Sequence, residues 1–304
     1  MIPLPNHQIP IIEIPLKSNV QLSIKREDII HPEISGNKYW KLFYNLNVYL
    51  KEIPKEPLII TFGGAFSNHI AAVSAAGKLF DIKTFGIIRG EELTHQWMQN
   101  PTLNSSHKNG MKFRFVTRDE FRNKEQLTDE LLKEFPNALI IPEGGTNKEA
   151  VLGIKHMLND QTESFDYLCT AVGTGGTAAG LSRFAGEHQK VIGFKVVNDD
   201  SLLNKIETLS GRQNFELIES SFGGYGKISE KIIRFINEFS AQYGILLDPV
   251  YTGKMMMKLF ELIDVGSFPE GSKILAFHTG GLQGIAGTNE RQMKKNGTLI
   301  NTEI

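Results

Sequence analysis

The run Tyr167-Leu168-Cys169-Thr170-Ala171-Val172-Gly173-Thr174-Gly175-Gly176-Thr177-Ala178-Ala179-Gly180 decides how this chain folds. A six-residue apolar stretch of buried-strand character passes into a loop of glycines and threonines, and small residues then open a helix. Glycines let backbone N–H groups surround an anion, hydroxyls add donors, and a helix N-terminus adds partial positive charge. A phosphate site is the natural reading of Gly173, Thr174, Gly175, Gly176 and Thr177. No Gly-Lys-Ser/Thr follows, so this is not a Walker A loop. The spacing Gly173-x-Gly175-x-x-Ala178, with Asp199 and Asp200 after the next apolar run, also fits the degenerate dinucleotide pattern, and a plain glycine turn would leave the same letters.

Outward from this corner the chain alternates short apolar runs with amphipathic stretches. Strands are expected at Leu58 to Phe62, Lys83 to Ile88, Lys112 to Val116, Ala138 to Ile141, Tyr167 to Val172, Val191 to Val197 and Ile274 to Phe277. Helices are expected at Ser67 to Phe80, Arg118 to Phe135, Lys148 to Leu158, Lys227 to Gln242 and Thr252 to Ile263. Buried strands separated by helices are the signature of a parallel α/β architecture with helices on both sheet faces. Ligands in such folds gather at the carboxyl ends of the strands.

Bulk composition excludes several classes. The 304 residues are 40% hydrophobic, enough for one large or two ordinary cores. A net charge of -1, from 33 basic and 34 acidic residues, offers no global attraction for nucleic acid or an anionic membrane. With Cys169 as its one cysteine the chain forms no intrachain disulfide, and a cytoplasmic protein is expected. The N-terminus lacks the basic and apolar regions of a leader, and no window approaches the roughly 20 apolar residues of a membrane span. A small-molecule ligand is the expected partner, and no metal-ligand set is assigned.

Other strand ends carry chemistry too. Leu58-Ile59-Ile60-Thr61-Phe62 runs through Gly63-Gly64-Ala65-Phe66 into Ser67-Asn68-His69. Ser67 suits a helix N-cap, and the three polar side chains together also suit a ligand at the helix start; His69 by itself reads as a packed or partly exposed histidine rather than a ligand. Ile274-Leu275-Ala276-Phe277 ends in His278-Thr279-Gly280-Gly281, and Asp248-Pro249-Val250-Tyr251-Thr252-Gly253-Lys254 precedes a further helix. Tyr251 can pack and Thr252 can cap. Lys38, in Glu33-Ile34-Ser35-Gly36-Asn37-Lys38, is a turn residue by local chemistry. A lysine can also form a Schiff base with an aldehyde when burial or a nearby cation makes its amine a usable nucleophile.

Taken in order, Lys25-Arg26-Glu27-Asp28, Ser35-Gly36-Asn37-Lys38, Ser67-Asn68, Glu143-Gly144-Gly145, Gly173 to Thr177, Asp248-Pro249-Val250-Tyr251 and His278-Thr279-Gly280-Gly281 closely resemble the fold type II pyridoxal-phosphate enzymes. Within that fold the resemblance is to the family of D-cysteine desulfhydrase and 1-aminocyclopropane-1-carboxylate deaminase, and it runs nearly end to end. It implies a two-domain, tryptophan synthase β-like fold of parallel and mixed sheets flanked by helices. Residues 1–40 and 146–304 would form a large cofactor-binding domain, and 41–145 a small inserted domain with an open α/β sheet. A homodimer is implied as well.

The resemblance also implies roles. Lys38 would carry pyridoxal 5'-phosphate as a Schiff base, Asn68 would bond the cofactor's ring hydroxyl oxygen, and Gly173 through Thr177 would hold its phosphate. Thr279 would meet the pyridine nitrogen. Ser67, Asn68, His69 and Tyr251 would bind a small amino-acid substrate, with Lys38, Ser67, Tyr251 and Tyr225 as the catalytic set. Glu143 resembles a family acid near the site and stays outside that set. The deaminase branch places a glutamate where Thr252 stands and an apolar residue where Thr279 stands. A hydroxyl cannot stabilise pyridinium as a carboxylate does, so D-cysteine desulfhydrase-type β-elimination to pyruvate, ammonia and sulfide is favoured over ring opening of the cyclopropane. One departure bears on substrate. Phe66 stands where the family usually carries glutamine, and Ile70 where a polar residue is common, so a more apolar pocket floor is expected. A nicotinamide-dependent dehydrogenase would use the Gly173 loop but leave Lys38, Asn68 and Thr279 idle; a binding protein without turnover would keep the pocket.

Overall fold

A computed structural model describes residues 2–52 and 55–303; Met1, Ile53, Pro54 and Ile304 lie outside the described residues, the first and last being the ends of the expected large domain. Apolar runs pair into two sheets. In the first, β1 (Ile11–Ile14), β2 (Gln21–Lys25), β7 (Tyr167–Val172), β8 (Lys190–Lys195), β9 (Phe215–Glu219) and β10 (Lys273–Phe277) lie in the order β1-β2-β10-β7-β8-β9. Only the edge strand β1 is antiparallel to its neighbour. The second sheet is wholly parallel, with β3 (Leu58–Gly63), β4 (Lys83–Arg89), β5 (Lys112–Val116) and β6 (Leu139–Ile141) in the order β5-β4-β3-β6.

β3 shows why these strands read as unbroken apolar runs: Ile59, Ile60 and Phe62 all expose 1% or less, on both faces of the sheet. Each such side chain contributes roughly 1.5–3 kcal/mol. Helices α1 (Asn37–Tyr49), α2 (Asn68–Phe80), α3 (Pro101–Lys108), α4 (Arg118–Arg122), α5 (Lys124–Glu134) and α6 (Lys148–Ile154) come first in the chain. They are followed by α7 (Gly176–Phe184), α8 (Leu202–Ser210), α9 (Glu230–Tyr243), α10 (Thr252–Asp264) and α11 (Gly284–Met293).

The strands expected from the sequence are present within a residue or two, and the parallel α/β expectation holds. Several elements differ. β1, β2 and β9 are not among the expected strands, and in β2 a position that looks like solvent is internal: Lys25 exposes 1% and is satisfied by Glu27 at 3.3 Å and the carbonyl of Met157 at 2.5 Å. The expected helix from Arg118 to Phe135 breaks at Asn123, whose side chain accepts from Gln126 N and so starts α5 afresh. The helix read from Lys148 ends as α at Ile154, and that read from Lys227 begins only at Glu230, capped by Ser229. α1, read as a turn, runs through the expected 40/41 boundary and packs on α6. Among the described residues no helix is long and apolar enough to cross a membrane.

Candidate active site

Inserting β10 between β2 and β7 brings Thr279 beside Gly173 and both beside the chain that leaves β2 for α1. The strand ends of both sheets open on a cavity of about 670 Å³. Its lining includes Lys38, the Ser67-Asn68-His69 corner, the Gly173 to Thr177 loop, Tyr225, Tyr251 and Thr279, so every residue singled out as a site candidate faces one space. Ile70 does not. It is wholly buried in the core beneath α2, so the expected apolar floor reduces to Phe66, which stands 40% exposed on the lining.

Lys38 is the second residue of α1. The helix starts there because Gly36 adopts φ +66 and presses against the Thr279 carbonyl, whose oxygen stands 2.0 Å from where any Cβ on Gly36 would be. Gly280 answers from the other side, 2.5 Å from Ser35 Oγ by the same measure. Lys38 Nζ donates to Asn37 Oδ1 at 3.0 Å, and Asn37 Nδ2 donates to Thr177 Oγ1 at 2.7 Å. The lysine and the glycine loop are thereby two hydrogen bonds apart. Burial pulls the Lys38 amine down to about 8, against the upward pull of Asp248.

At the loop itself, Gly175 takes a left-handed conformation and α7 begins at Gly176. Gly144 of the Glu143-Gly144-Gly145 turn packs on Thr174, and Thr146 and Thr174 share a 2.5 Å hydrogen bond. Lys41, one helical turn beyond Lys38, donates to the Gly144 carbonyl at 3.0 Å and to Thr146 Oγ1 at 3.3 Å. Sequence reading missed Lys41. Its signal was the i, i+3 spacing from Lys38, visible only once α1 is recognised as a helix. Burial first, then the charges of Lys38 and Lys205, push the Lys41 amine well below its usual range. An amine whose charge its neighbours disfavour, beside a helix N-terminus, suits an anion, which would restore its proton.

Ser67 caps α2, accepting from His69 N and Ile70 N at 3.2 and 3.3 Å, so the capping reading holds while its own hydroxyl proton stays available to the cavity. Asn68 accepts from Gln283 and lies against Gly281, whose missing Cβ leaves room for the amide. His69 exposes 1%, and neither ring nitrogen has a hydrogen-bond partner among the described residues. Burial, with Lys38 and Lys41 behind it, holds its imidazole well below the usual pKa, and hence neutral. Tyr225 and Tyr251 share a hydrogen bond at 3.1 Å. Burial raises both phenols, Tyr251 the further, so both are proton-bearing donors at neutral pH.

Asp248 organises the far wall. Its carboxylate accepts from the N–H groups of Val250, Tyr251 and Thr252 at 2.7 to 2.9 Å and from Thr252 Oγ1 at 2.7 Å. Thr252 is fully buried and committed to this cap, leaving Thr279 as the hydroxyl that reaches the cavity from the two positions compared above. Lys254, equally buried, donates to the carbonyls of Ser221 and Gly224 at 2.6 and 2.9 Å and so tethers the loop that carries Tyr225. Glu143 is held by Lys124 at 3.1 Å.

A lysine with a lowered pKa, an anion cradle at a helix start and a ring of neutral donors define an enzyme site for a phosphorylated aldehyde cofactor. The chain belongs to the pyridoxal-phosphate dependent enzyme family, whose model matches residues 2–280. A Pyrococcus furiosus protein named "Putative 1-aminocyclopropane-1-carboxylate deaminase" is 32% identical over 288 residues, covering 86% of this chain and 84% of its own. The Arabidopsis thaliana bifunctional D-cysteine desulfhydrase/1-aminocyclopropane-1-carboxylate deaminase is 29% identical, over 93% of this chain and 80% of its own. A solved structure described as an ACC deaminase homologue superposes with a TM-score of 0.80 at 28% identity, covering 96% and 95% of the two chains. The fold is thus that of fold type II pyridoxal-phosphate enzymes, and the cofactor is pyridoxal phosphate. Family membership overturns the nicotinamide alternative for the Gly173 loop.

Proposed function

We propose that this enzyme is a lyase or deaminase of a small amino acid, with Lys38 as the cofactor's covalent anchor. The observation that carries the reading is the short chain of contacts from Lys38 through Asn37 to Thr177, which sets a reactive amine at a fixed reach from the phosphate cradle. The cradle fits the group. A Cβ at Gly176 would stand 2.7 Å from Thr146 Oγ1 and 3.1 Å from Lys41 Nζ, so glycine there lets both donors approach the loop. Gly173 to Thr177 and Lys41 would hold the phosphate, Asn68 the ring hydroxyl oxygen, and Thr279 the pyridine nitrogen.

When bound, pyridoxal phosphate supplies the electron sink that stabilises negative charge at a substrate α-carbon. This chain supplies the rest. The Lys38 amine, with a pKa of about 8 that suits proton transfer at neutral to mildly alkaline pH, would be the base for the α-proton. The Ser67 hydroxyl and the Asn68 N–H, the N–H at the start of α2 that the Ser67 cap does not use, would receive the α-carboxylate. Tyr225 and Tyr251, hydrogen-bonded to each other, would face the departing group and donate a proton to it.

Two substrates compete for this site. Thr279 offers a neutral hydroxyl, and Thr252 is consumed by Asp248, which supports a β-elimination of the D-cysteine desulfhydrase kind. The names of the relatives favour 1-aminocyclopropane-1-carboxylate deamination. Offering the loaded protein D-cysteine, L-cysteine, D-serine, β-chloro-D-alanine and 1-aminocyclopropane-1-carboxylate, and measuring 2-oxo acid, sulfide and ammonia, decides between them. Pyruvate and sulfide from D-cysteine without 2-oxobutyrate from the cyclopropane is expected. The reverse pattern assigns the deaminase, and no product from any of the five removes both.

A further inference from the structure

Two guanidinium groups on the cavity lining have no part in the chemistry above: Arg89, the last residue of β4, and Arg291, on α11. They flank one corner. Arg89 Nη2 lies 3.5 Å from where a side chain on Gly64 would begin, and Arg291 Cζ stands 5.2 Å from the centre of the Phe66 ring. Ser67 and Asn68 follow in the chain. The Phe66 ring is seated against Gly287, where a Cβ would stand 2.4 Å from its Cε1, so α11 both makes room for the ring and sets Arg291 over it. Arg291 donates from Nε to the Gly287 carbonyl at 3.1 Å, which leaves both terminal nitrogens of its planar fork open.

Exposed arginines are commonly no more than solvated surface. Charge accounting separates this pair from that case. The lining carries six basic side chains, Lys38, Lys41, Arg89, Lys124, Lys205 and Arg291, and three acidic ones. Of the acids, Glu143 is held by Lys124, Asp248 by its cap and Asp199 by Ser201. Lys205 adds its charge to that of Lys41 at the phosphate cradle, whereas Arg89 and Arg291 stand at the β3 to α2 corner with no acid committed to them among the described residues.

We propose that Arg89 and Arg291 form a second anion site at the cavity mouth, so that among the small amino acids taken here one with a negative charge at the far end of its side chain is held more tightly than a neutral one. The inference rests on the reading that pyridoxal phosphate and an amino acid share this cavity, with the α-carboxylate at Ser67 and Asn68. Phe66, the departure from the family pattern, acts by presenting Arg291. A carboxylate, a sulfonate or a phosphate would meet the same donors.

The test compares ligands that differ only in the distal charge. Alanine and aspartate, each as D and L forms, are titrated into the pyridoxal-phosphate-loaded protein, and binding is read from the change in cofactor absorbance. Aspartate of the accepted hand is expected to bind about 10-fold or more tightly than alanine of the same hand. That preference should shrink about 10-fold in Arg89→Gln and in Arg291→Gln, be partly kept in Arg291→Lys, and weaken as ionic strength rises. Alanine binding with aspartate no tighter, or a preference that survives both glutamine substitutions, overturns the second anion site alone. A protein that takes up no cofactor, or whose absorbance responds to neither amino acid, overturns the underlying reading together with it.

Discussion

Lys38 and Gly36 sit two residues apart and answer opposite demands. The lysine needs a desolvated amine, whereas the glycine needs a backbone that no side chain can share. Because the neutral amine is the nucleophile and burial holds its pKa near 8, capture of pyridoxal phosphate by the cofactor-free chain should rise as pH passes through about 8, below the ordinary lysine range. Stopped-flow absorbance reads this directly. Borohydride reduction of the loaded protein should fix the cofactor on Lys38, and Lys38→Ala should keep some affinity through the phosphate cradle while turnover falls about a thousandfold. For Gly36→Ala the added methyl meets the Thr279 carbonyl in a left-handed conformation. A loss of about 2–4 kcal/mol is expected in urea unfolding, with activity lost as the two loops separate.

At the scale of elements, the loop that carries Tyr225 is held by a helix as well as by its own bond from Gly224 N–H to the Ser221 carbonyl. The Phe222-Gly223-Gly224-Tyr225-Gly226 segment has positive φ at Phe222, Gly223, Gly224 and Gly226, and two of the carbonyls of the 221–226 loop are fastened by one buried amine on α10, that of Lys254. Lys254→Met keeps the apolar stem and removes the donors. Faster amide exchange confined to residues 221–226 and weaker turnover with unchanged cofactor affinity are expected, measured by mass spectrometry and by absorbance titration. An unchanged exchange pattern would show that the loop holds itself. The elements that escaped sequence reading share this dependence on distant partners. α1 begins at a glycine without a side-chain cap and mixes aromatic with asparagine residues, so its helical period is hidden. β2 alternates Leu22 and Ile24 with Ser23 and Lys25, and the Lys25 amine is accommodated inside by Glu27 and the Met157 carbonyl, which lie beyond the strand.

Across the whole molecule, the cavity draws on both sheets: Ser67 and Asn68 leave β3, Gly173 leaves β7, and Thr279 leaves β10. A ligand that touches all of these stabilises their common arrangement. Pyridoxal phosphate at about a hundredfold excess over its Kd should add about 2.7 kcal/mol, roughly a 4 °C rise in Tm for a chain of this length. The cofactor-induced rise should largely vanish in Gly176→Ala, where a methyl group crowds Thr146 and Lys41 in the cradle. Differential scanning calorimetry with and without the cofactor checks both.

By itself the sequence determined the parallel α/β class, the glycine cradle at Gly173 to Thr177 and the identity of the strand-end residues that carry chemistry. Those features are local: a buried strand must be apolar, and a backbone that wraps an anion must be glycine-rich. Only the tertiary structure decided that Lys41 and Asp248 belong to the site, that Ile70 does not, and that Phe66 carries Arg291 to its mouth. The insertion of β10 between β2 and β7 and the docking of α11 on the β3 corner bring together residues more than 200 positions apart, and no period or short motif encodes such a distance.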